Sequence, residues 1–271
     1  MVKEVQMRRK WFVSAATLAL VGGSMLAAGE AAASTAAPGP RHVMVQPGGL
    51  IRHLIKPFGA HGARPNSVTS SNWSGYAATG GTGAFTSVSA SWVEPAAHCS
   101  SGNQYSAFWV GLDGYSSSTV EQTGSETDCS GATPVYSAWW EMYPGPSHNF
   151  SNTVRPGDSF TASVTSNGGG VFTLKIADTT QGWSHTLTKT LTSAKRSSAE
   201  VIVEAPCCTG SGGVLPLANF GTVNFTNSDA NGSPVGNSNP TEIIMQSGTT
   251  QKDSISALSG GTNFNATWLH K

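Results

Sequence analysis

From Ser70 to the C-terminus, short stretches of alternating apolar and polar residues follow one another at close intervals: NWSGYAA, FTSVSASWVE, QYSAFWVGLD, STVEQTGSE, VYSAWWEMYP, SFTASVTS, VFTLKIADTT, SHTLTKTL, AEVIVEA, FGTVNFTN and TEIIMQS. Side chains alternate faces along a strand, so a period of two marks a strand with one face on a core. Each stretch is bounded by Gly, Pro, Asn, Asp or Ser, and none sustains a helical period. The sum predicts an all-β, antiparallel β-sandwich, because no strand–helix alternation is present to build a parallel sheet.

The phase of the alternation also sorts the polar residues. In STVEQTGSE, Gln122 shares a side with Val120, while Glu121 and Thr123 take the other. In SSAEVIVEAP, Val201 and Val203 lie opposite Glu200, Ile202 and Glu204, and in YSAWWEMYP, Trp139, Glu141 and Tyr143 fall together. Strands with one face on a core and the other carrying Trp beside acids predict an aromatic, acidic cleft.

Residues 1–69 read differently. A basic start (Lys3, Arg8, Arg9, Lys10), an apolar run from Trp11 to Ala28 and small residues at Ala31, Ala32 and Ala33 make residues 1–33 a secretory signal peptide. Gly22, Gly23 and the lack of a stop-transfer flank argue against a membrane span, and the adjacent Arg8 and Arg9 leave the export route open. Residues 34–69, punctuated by Pro and Gly, read as a basic propeptide with one short amphipathic helix around Leu50 to Ile55. Residues 70–271 form the globular domain, of a size that supports a core without metal.

The chain is formally neutral, but that balance hides a partition. Eight of the fifteen Lys/Arg and only two of the fifteen Asp/Glu lie in residues 1–65, which leaves seven bases against thirteen acids in the body, a net of −6. No nucleic-acid footprint survives that partition. In an exported chain the four cysteines suggest two bridges among three possible connectivities. Cys99 and Cys129 can close a loop around the Gln122 segment; adjacent Cys207 and Cys208 form either a vicinal bridge or cross to the other two, and the local pairs are expected. No second CxxC or His pair has zinc-ligand spacing, so no metal or other cofactor is expected. A Ser-His-Asp triad has no GxSxG elbow to carry it, and His98, His148, His185 and His270 sit in polar, loop-like settings. Carboxylates and amides are the remaining chemistry.

Five motifs occur in order: SNWSGY, FWVGLDG, EQTGSE, AWWEMYP and SAEVIVEAP. Together they resemble the glutamic peptidase family, the eqolisins, especially its bacterial branch, over Ser70 to the C-terminus. The resemblance implies a jelly-roll, concanavalin-like double sheet with its active site on a concave face. It also implies a catalytic pair: Gln122, in the Q-T-G motif, and Glu200, the first acid of A-E-x-I-V-E. By the same motifs Trp73, Trp109, Asp113, Glu141 and Tyr143 line the substrate cleft, with Glu126 standing where the fungal members carry Asp. Val201 follows the catalytic Glu where Trp is common, and the spacing from Asp113 to Gln122 is a residue short.

The implied activity is a secreted acid endopeptidase acting on polypeptides as a monomer, with its own propeptide as a partner and no membrane association after signal removal. Glu200 would activate water and return the proton to the leaving nitrogen, while the Gln122 amide donates to the oxyanion. A base near the unperturbed Glu pKa of about 4.3 suits an acidic medium. Two other classes fit the same cleft: a jelly-roll glycoside hydrolase using Glu141 and Glu200, and a non-catalytic carbohydrate-binding module.

Overall fold

The computed structural model describes residues 66–207 and 213–271. The expected signal peptide, the short helix expected around Leu50 to Ile55 and Cys208 lie outside the described residues. The strands in chain order are β1 Ser67–Ser70, β2 Trp73–Thr79, β3 Ser87–Val93, β4 Ala107–Leu112, β5 Val120–Ser130, β6 Thr133–Tyr143, β7 His148–Asn149, β8 Ser159–Gly168 and β9 Val171–Asp178. They continue as β10 Trp183–Thr190, β11 Ser198–Glu204, β12 Thr222–Ala230, β13 Ser233–Pro234, β14 Thr241–Ser247, β15 Thr250–Gln251, β16 Asp253–Ile255 and β17 Phe264–Trp268, with one 3-10 turn at Val235–Ser238.

Two sheets face each other. The first runs β1-β14-β2-β11-β4-β5-β6-β7, with β15 added to β14; the second runs β10-β9-β8-β3-β12-β17-β16, with β13 added to β12. These ladders are antiparallel except for β1 against β14, where the N-terminal strand docks parallel at the sheet edge. The structure is therefore the expected sandwich, with one correction to its limits. Ser67, Val68 and Thr69, assigned to the leader by composition, are strand residues paired with Glu242, Ile243 and Ile244.

The core lies between the sheets. Phe108, Val110, Leu112, Val201 and Val203 from the first sheet meet Phe160, Phe172, Leu174, Ile176 and Phe225 from the second. Each such side chain contributes about 1.5–3 kcal/mol when fully buried. Phe108 packs edge-on against Phe220 at 5.4 Å, and Trp92 stacks on Phe160 at 5.7 Å. Alternation then forces the intervening residues of β2, β4, β5, β6 and β11 onto the opposite face of the first sheet. Trp73, Ala77, Trp109, Val120, Trp139, Ile202 and Ile243 form a second apolar cluster there. β5 sits centrally and is buried at ten of its eleven positions. The Cys99–Cys129 bridge forms as expected and ties the 95–106 segment to this strand. Cys207 is buried, and the second expected pair falls outside the described residues through Cys208.

Candidate active site

Register brings the key residues into one transverse row. On β11, Glu200 is opposite Ala77 of β2 on one side and Gly111 of β4 on the other. Gly111 is in turn opposite Gln122 of β5, and Gln122 is opposite Glu141 of β6. The row therefore reads Ala77, Glu200, Gly111, Gln122, Glu141, all projecting on the face away from the second sheet. Glu200 and Gln122 are two strand spacings apart, about 10 Å between backbones, with only a glycine between them.

Glu141 fixes the Gln122 amide. Gln122 Nε2 donates to Glu141 Oε2 at 2.7 Å. With that carboxyl oxygen accepting, the NH2 end of the amide is fixed and its second N–H is left for another acceptor. Gln122 Oε1 has no hydrogen-bond partner among the described residues.

Glu200 is fully buried, and neither of its carboxyl oxygens has a hydrogen-bond partner among the described residues. Burial pushes its pKa well above the usual carboxylate range, and the Asp113 and Glu121 carboxyls push it the same way. The Ser198 hydroxyl, the largest influence after burial, and the Tyr115 backbone N–H oppose that shift without reaching hydrogen-bond geometry. The expectation of a base near its unperturbed pKa is thus corrected, because removal from water disfavours the anion.

The next row along the strands is aromatic. Trp73 meets Trp109 edge-on at 4.9 Å, and Trp139 lies in the same cluster. Trp109 Nε1 donates to Glu204 Oε2 at 2.8 Å and Asn72 Nδ2 to Glu204 Oε1 at 3.3 Å, so Glu204 orients the indole instead of facing the reaction. Glu126, four residues along β5 from Gln122, accepts from Ser137 Oγ at 3.1 Å at one end of the face. Tyr143, opposite Val120, is half-buried at the other end.

Asp113 has a different job from the cleft-lining one expected of it. Its carboxylate accepts backbone N–H bonds from Lys195 at 2.7 Å, Arg196 at 2.6 Å and Ser197 at 2.9 Å, and side-chain bonds from Ser197 and Thr119. It anchors the turn that feeds β11, and so sets where Glu200 enters the sheet. Three contributors escaped the motif reading: Gly111, Trp139 and Glu204. The period-two pattern of β6 and β11 already placed Trp139 beside Glu141 and Glu204 beside Glu200. Among the described residues, no group of three or more His, Cys, Asp or Glu is arranged to hold a metal ion.

The profile of the Peptidase A4 family matches residues 71–268. The chain belongs to this family, the eqolisins. Among curated eqolisin relatives, aspergillopepsin-2 of Aspergillus niger is 34% identical over 145 residues, 51% of each chain. Scytalidopepsin B of Scytalidium lignicola is 36% identical over 180 residues, 63% of this chain and 66% of that one. The chain thus spans about half the length of the first of these relatives. Among solved eqolisins, scytalido-glutamic peptidase with a transition-state analogue inhibitor superposes with a TM-score of 0.66 at 26% identity, covering 74% of this chain and 99% of that one. Aspergilloglutamic peptidase from Aspergillus niger gives 0.55 at 28% identity, over 61% and 99%.

Proposed function

We propose that this eqolisin is an exported endopeptidase that hydrolyses peptide bonds with Glu200 as base and Gln122 as oxyanion donor. The observation that carries the reading is the row Glu200, Gly111, Gln122: a carboxyl and an amide that the register sets on either side of one glycine, on the same face of the sheet. Glu200 takes a proton from water, the water oxygen adds to the scissile carbonyl carbon, and the oxyanion accepts the Gln122 N–H that Glu141 leaves available. Collapse expels the amine, which receives the proton held by Glu200. Because burial raises the Glu200 pKa, the acid-side limb of kcat/KM lies above the ordinary Glu value of about 4.3.

The glycosidase reading has weaker support. Glu141 and Glu200 are three strand spacings apart, about 14 Å between backbones, and Glu141 is engaged by Gln122. Glycosidase carboxyls stand about 5–9.5 Å apart, a separation these two would reach only by leaning toward each other over Gly111 and Gln122. The assay that separates the classes offers the secreted protein an acid-denatured protein, xylan and glucan across about pH 3 to 6, a range bracketing the Glu pKa. Peptide cleavage without sugar release is expected. Sugar release alone would transfer the site to glycoside hydrolysis, and binding with neither product would make it a carbohydrate-binding module.

The leader is proposed as the domain's own propeptide. Arg41, Arg52, Lys56 and Arg64 oppose a body of net charge −6 at neutral pH, and that attraction fades as carboxylates protonate near about pH 4. His42, His53 and His61 are already charged by about pH 5 and do not replace the lost partners. Release and self-cleavage are then acid-triggered. The sequence favoured a cut within AHGARPNSVTSS; pairing of Ser67–Ser70 moves it upstream of Asn66, whose side chain donates to Asn239 O and Pro240 O. Purified pro-form held at about pH 7, 5 and 3.5, values spanning the ordinary Glu range, should mature faster at about pH 5 than at neutrality, while at about pH 3.5 protonation of Glu200 slows the cut itself. Equal rates at neutrality and at about pH 5 would remove the switch.

A further inference from the structure

We propose that Gly111 is the seat of the scissile peptide: its missing side chain keeps open the gap between Glu200 and Gln122 in which the substrate backbone lies. The inference rests on the peptidase reading and adds a residue that the dyad chemistry does not itself require.

Three glycines lie on the cleft face of the central strands, and two have backbone reasons to be there. A Cβ at Gly75, whose φ is +130°, would fall 2.2 Å from the Val201 carbonyl oxygen, and one at Gly124 would fall 2.2 Å from that of Phe108. No side chain fits at either position. Gly111 differs, since its φ lies outside the left-handed region and a Cβ would touch only side chains. Those contacts are Trp109 Cζ3 at 3.0 Å, Gln122 Cβ at 3.2 Å and Val120 Cγ1 at 3.2 Å. Neighbours that yield by a few tenths of an ångström would admit alanine, so neither backbone conformation nor a main-chain clash requires glycine here.

What a methyl would spoil is the reaction space. Gly111 is the direct cross-strand partner of both Glu200 and Gln122, and a Cβ would stand in the middle of the row. With water delivered from the Glu200 side and the oxyanion received on the Gln122 side, the carbonyl carbon must sit above β4. The substrate backbone therefore runs over Gly111, flanked along the same strand by Trp109. A misplacement of about 1 Å at such a point costs on the order of 100-fold in rate.

The test is Gly111→Ala, expressed as the full chain and freed of its leader by an added protease, assayed with a fluorogenic peptide beside Glu200→Gln treated in the same way. Gly111→Ala should melt within about 5 °C of wild type, the size expected from mild overpacking of a buried position by one methyl. Its kcat/KM should fall by about 100-fold. Competitive inhibition by a peptide carrying a reduced –CH2–NH– bond should weaken in parallel, a readout that loss of stability would not move. The double variant Gly111→Ala/Val120→Ala removes the Val120 contact and should stay impaired, since the methyl still fills the gap. Turnover within about threefold of wild type in either variant would overturn the inference, as would failure of both to fold, which would place Gly111 with the backbone-required glycines. If Glu200→Gln itself retains turnover, the peptidase reading fails; if Glu200→Gln is inactive while Gly111→Ala is active, only the seat fails.

Discussion

Glu200→Gln leaves a folded protein whose peptide turnover falls by at least about 10²- to 10⁴-fold, the range for removal of a general base. The substitution keeps the shape, and because burial already favours the neutral form of Glu200 in the fold, an uncharged isostere costs little stability. It removes the carboxyl beside Gly111 that accepts a proton from water; the other carboxyl of the row, Glu141, is engaged by the Gln122 amide. Gln122→Ala should cost about 10²- to 10³-fold, as for loss of one oxyanion donor, and it also leaves the Glu141 carboxylate without its 2.7 Å amide donor. Glu204→Gln is the control on the same strand and face. It keeps an acceptor for the Trp109 indole and should retain most activity. Steady-state kinetics on the purified variants, with melting curves alongside, decides the assignment: near-normal turnover by Glu200→Gln or Gln122→Ala sinks it.

The second large effect is on stability. The fold should be most stable in acid and should lose several kcal/mol as pH rises toward neutrality. Two buried carboxyls join the sheets through hydroxyl partners. Glu94, just after β3, accepts from Ser125 and Thr127 of β5, and Asp253 of β16 accepts from Ser74 of β2. Burial is the main cause in each case and pushes both to about 7, from 4.5 and 3.8. Glu121, also buried, is pushed to about 9 by burial and by Asp113. The sign follows directly. A group whose folded pKa is raised imposes nothing while both states are protonated, below about pH 4. Its cost appears as pH climbs from the unfolded value to the folded one. At about 1.4 kcal/mol per pKa unit, Glu94 and Asp253 each remove roughly 3–4 kcal/mol by about pH 7. Buried Lys252 is shifted down, so its effect runs the opposite way, at pH values nearer the ordinary Lys range.

Set against typical stabilities of about 5–15 kcal/mol, that loss is large. Melting followed by circular dichroism at about pH 4 and about pH 7.5 should show a drop of more than about 10 °C. Glu94→Gln and Asp253→Asn, neutral at both values, should flatten the dependence. An unchanged melting temperature across the range would refute the account. On the proposed peptidase reading, protonation of Glu200 would set the acid limit of turnover and this loss of stability the limit on the neutral side.

What the sequence revealed about the fold was local. Eleven alternating stretches became β2–β6, β8–β12 and β14, because period-two burial depends on near neighbours alone. Two-residue pairings such as β7 and β15 carry no period, and β1 was hidden because its four residues follow a Pro- and Gly-rich leader. Phe264, Ala266 and Trp268 of β17 do alternate, but in too short a run beside turn residues. At the site, phase placed Gln122, Glu141 and Glu200 on the side away from the core. That Gly111 would stand between two of them depends on the register of β4 with both β5 and β11, which a local pattern does not contain. The work of Asp113 likewise depends on a turn 82 to 84 residues away.

The parallel pairing of β1 with β14 bears on where the finished polypeptide begins. Exopeptidases and the domain itself can nibble a leader only while its backbone is free to enter another active site as an extended segment, and a residue hydrogen-bonded into a sheet is not free in that way. If the leader is removed as proposed, a stop at Asn66 set by the sheet, and not the side-chain preference of the first protease, would define the mature N-terminus. Different hosts, with different proteases in their medium, would converge on nearly the same N-terminus.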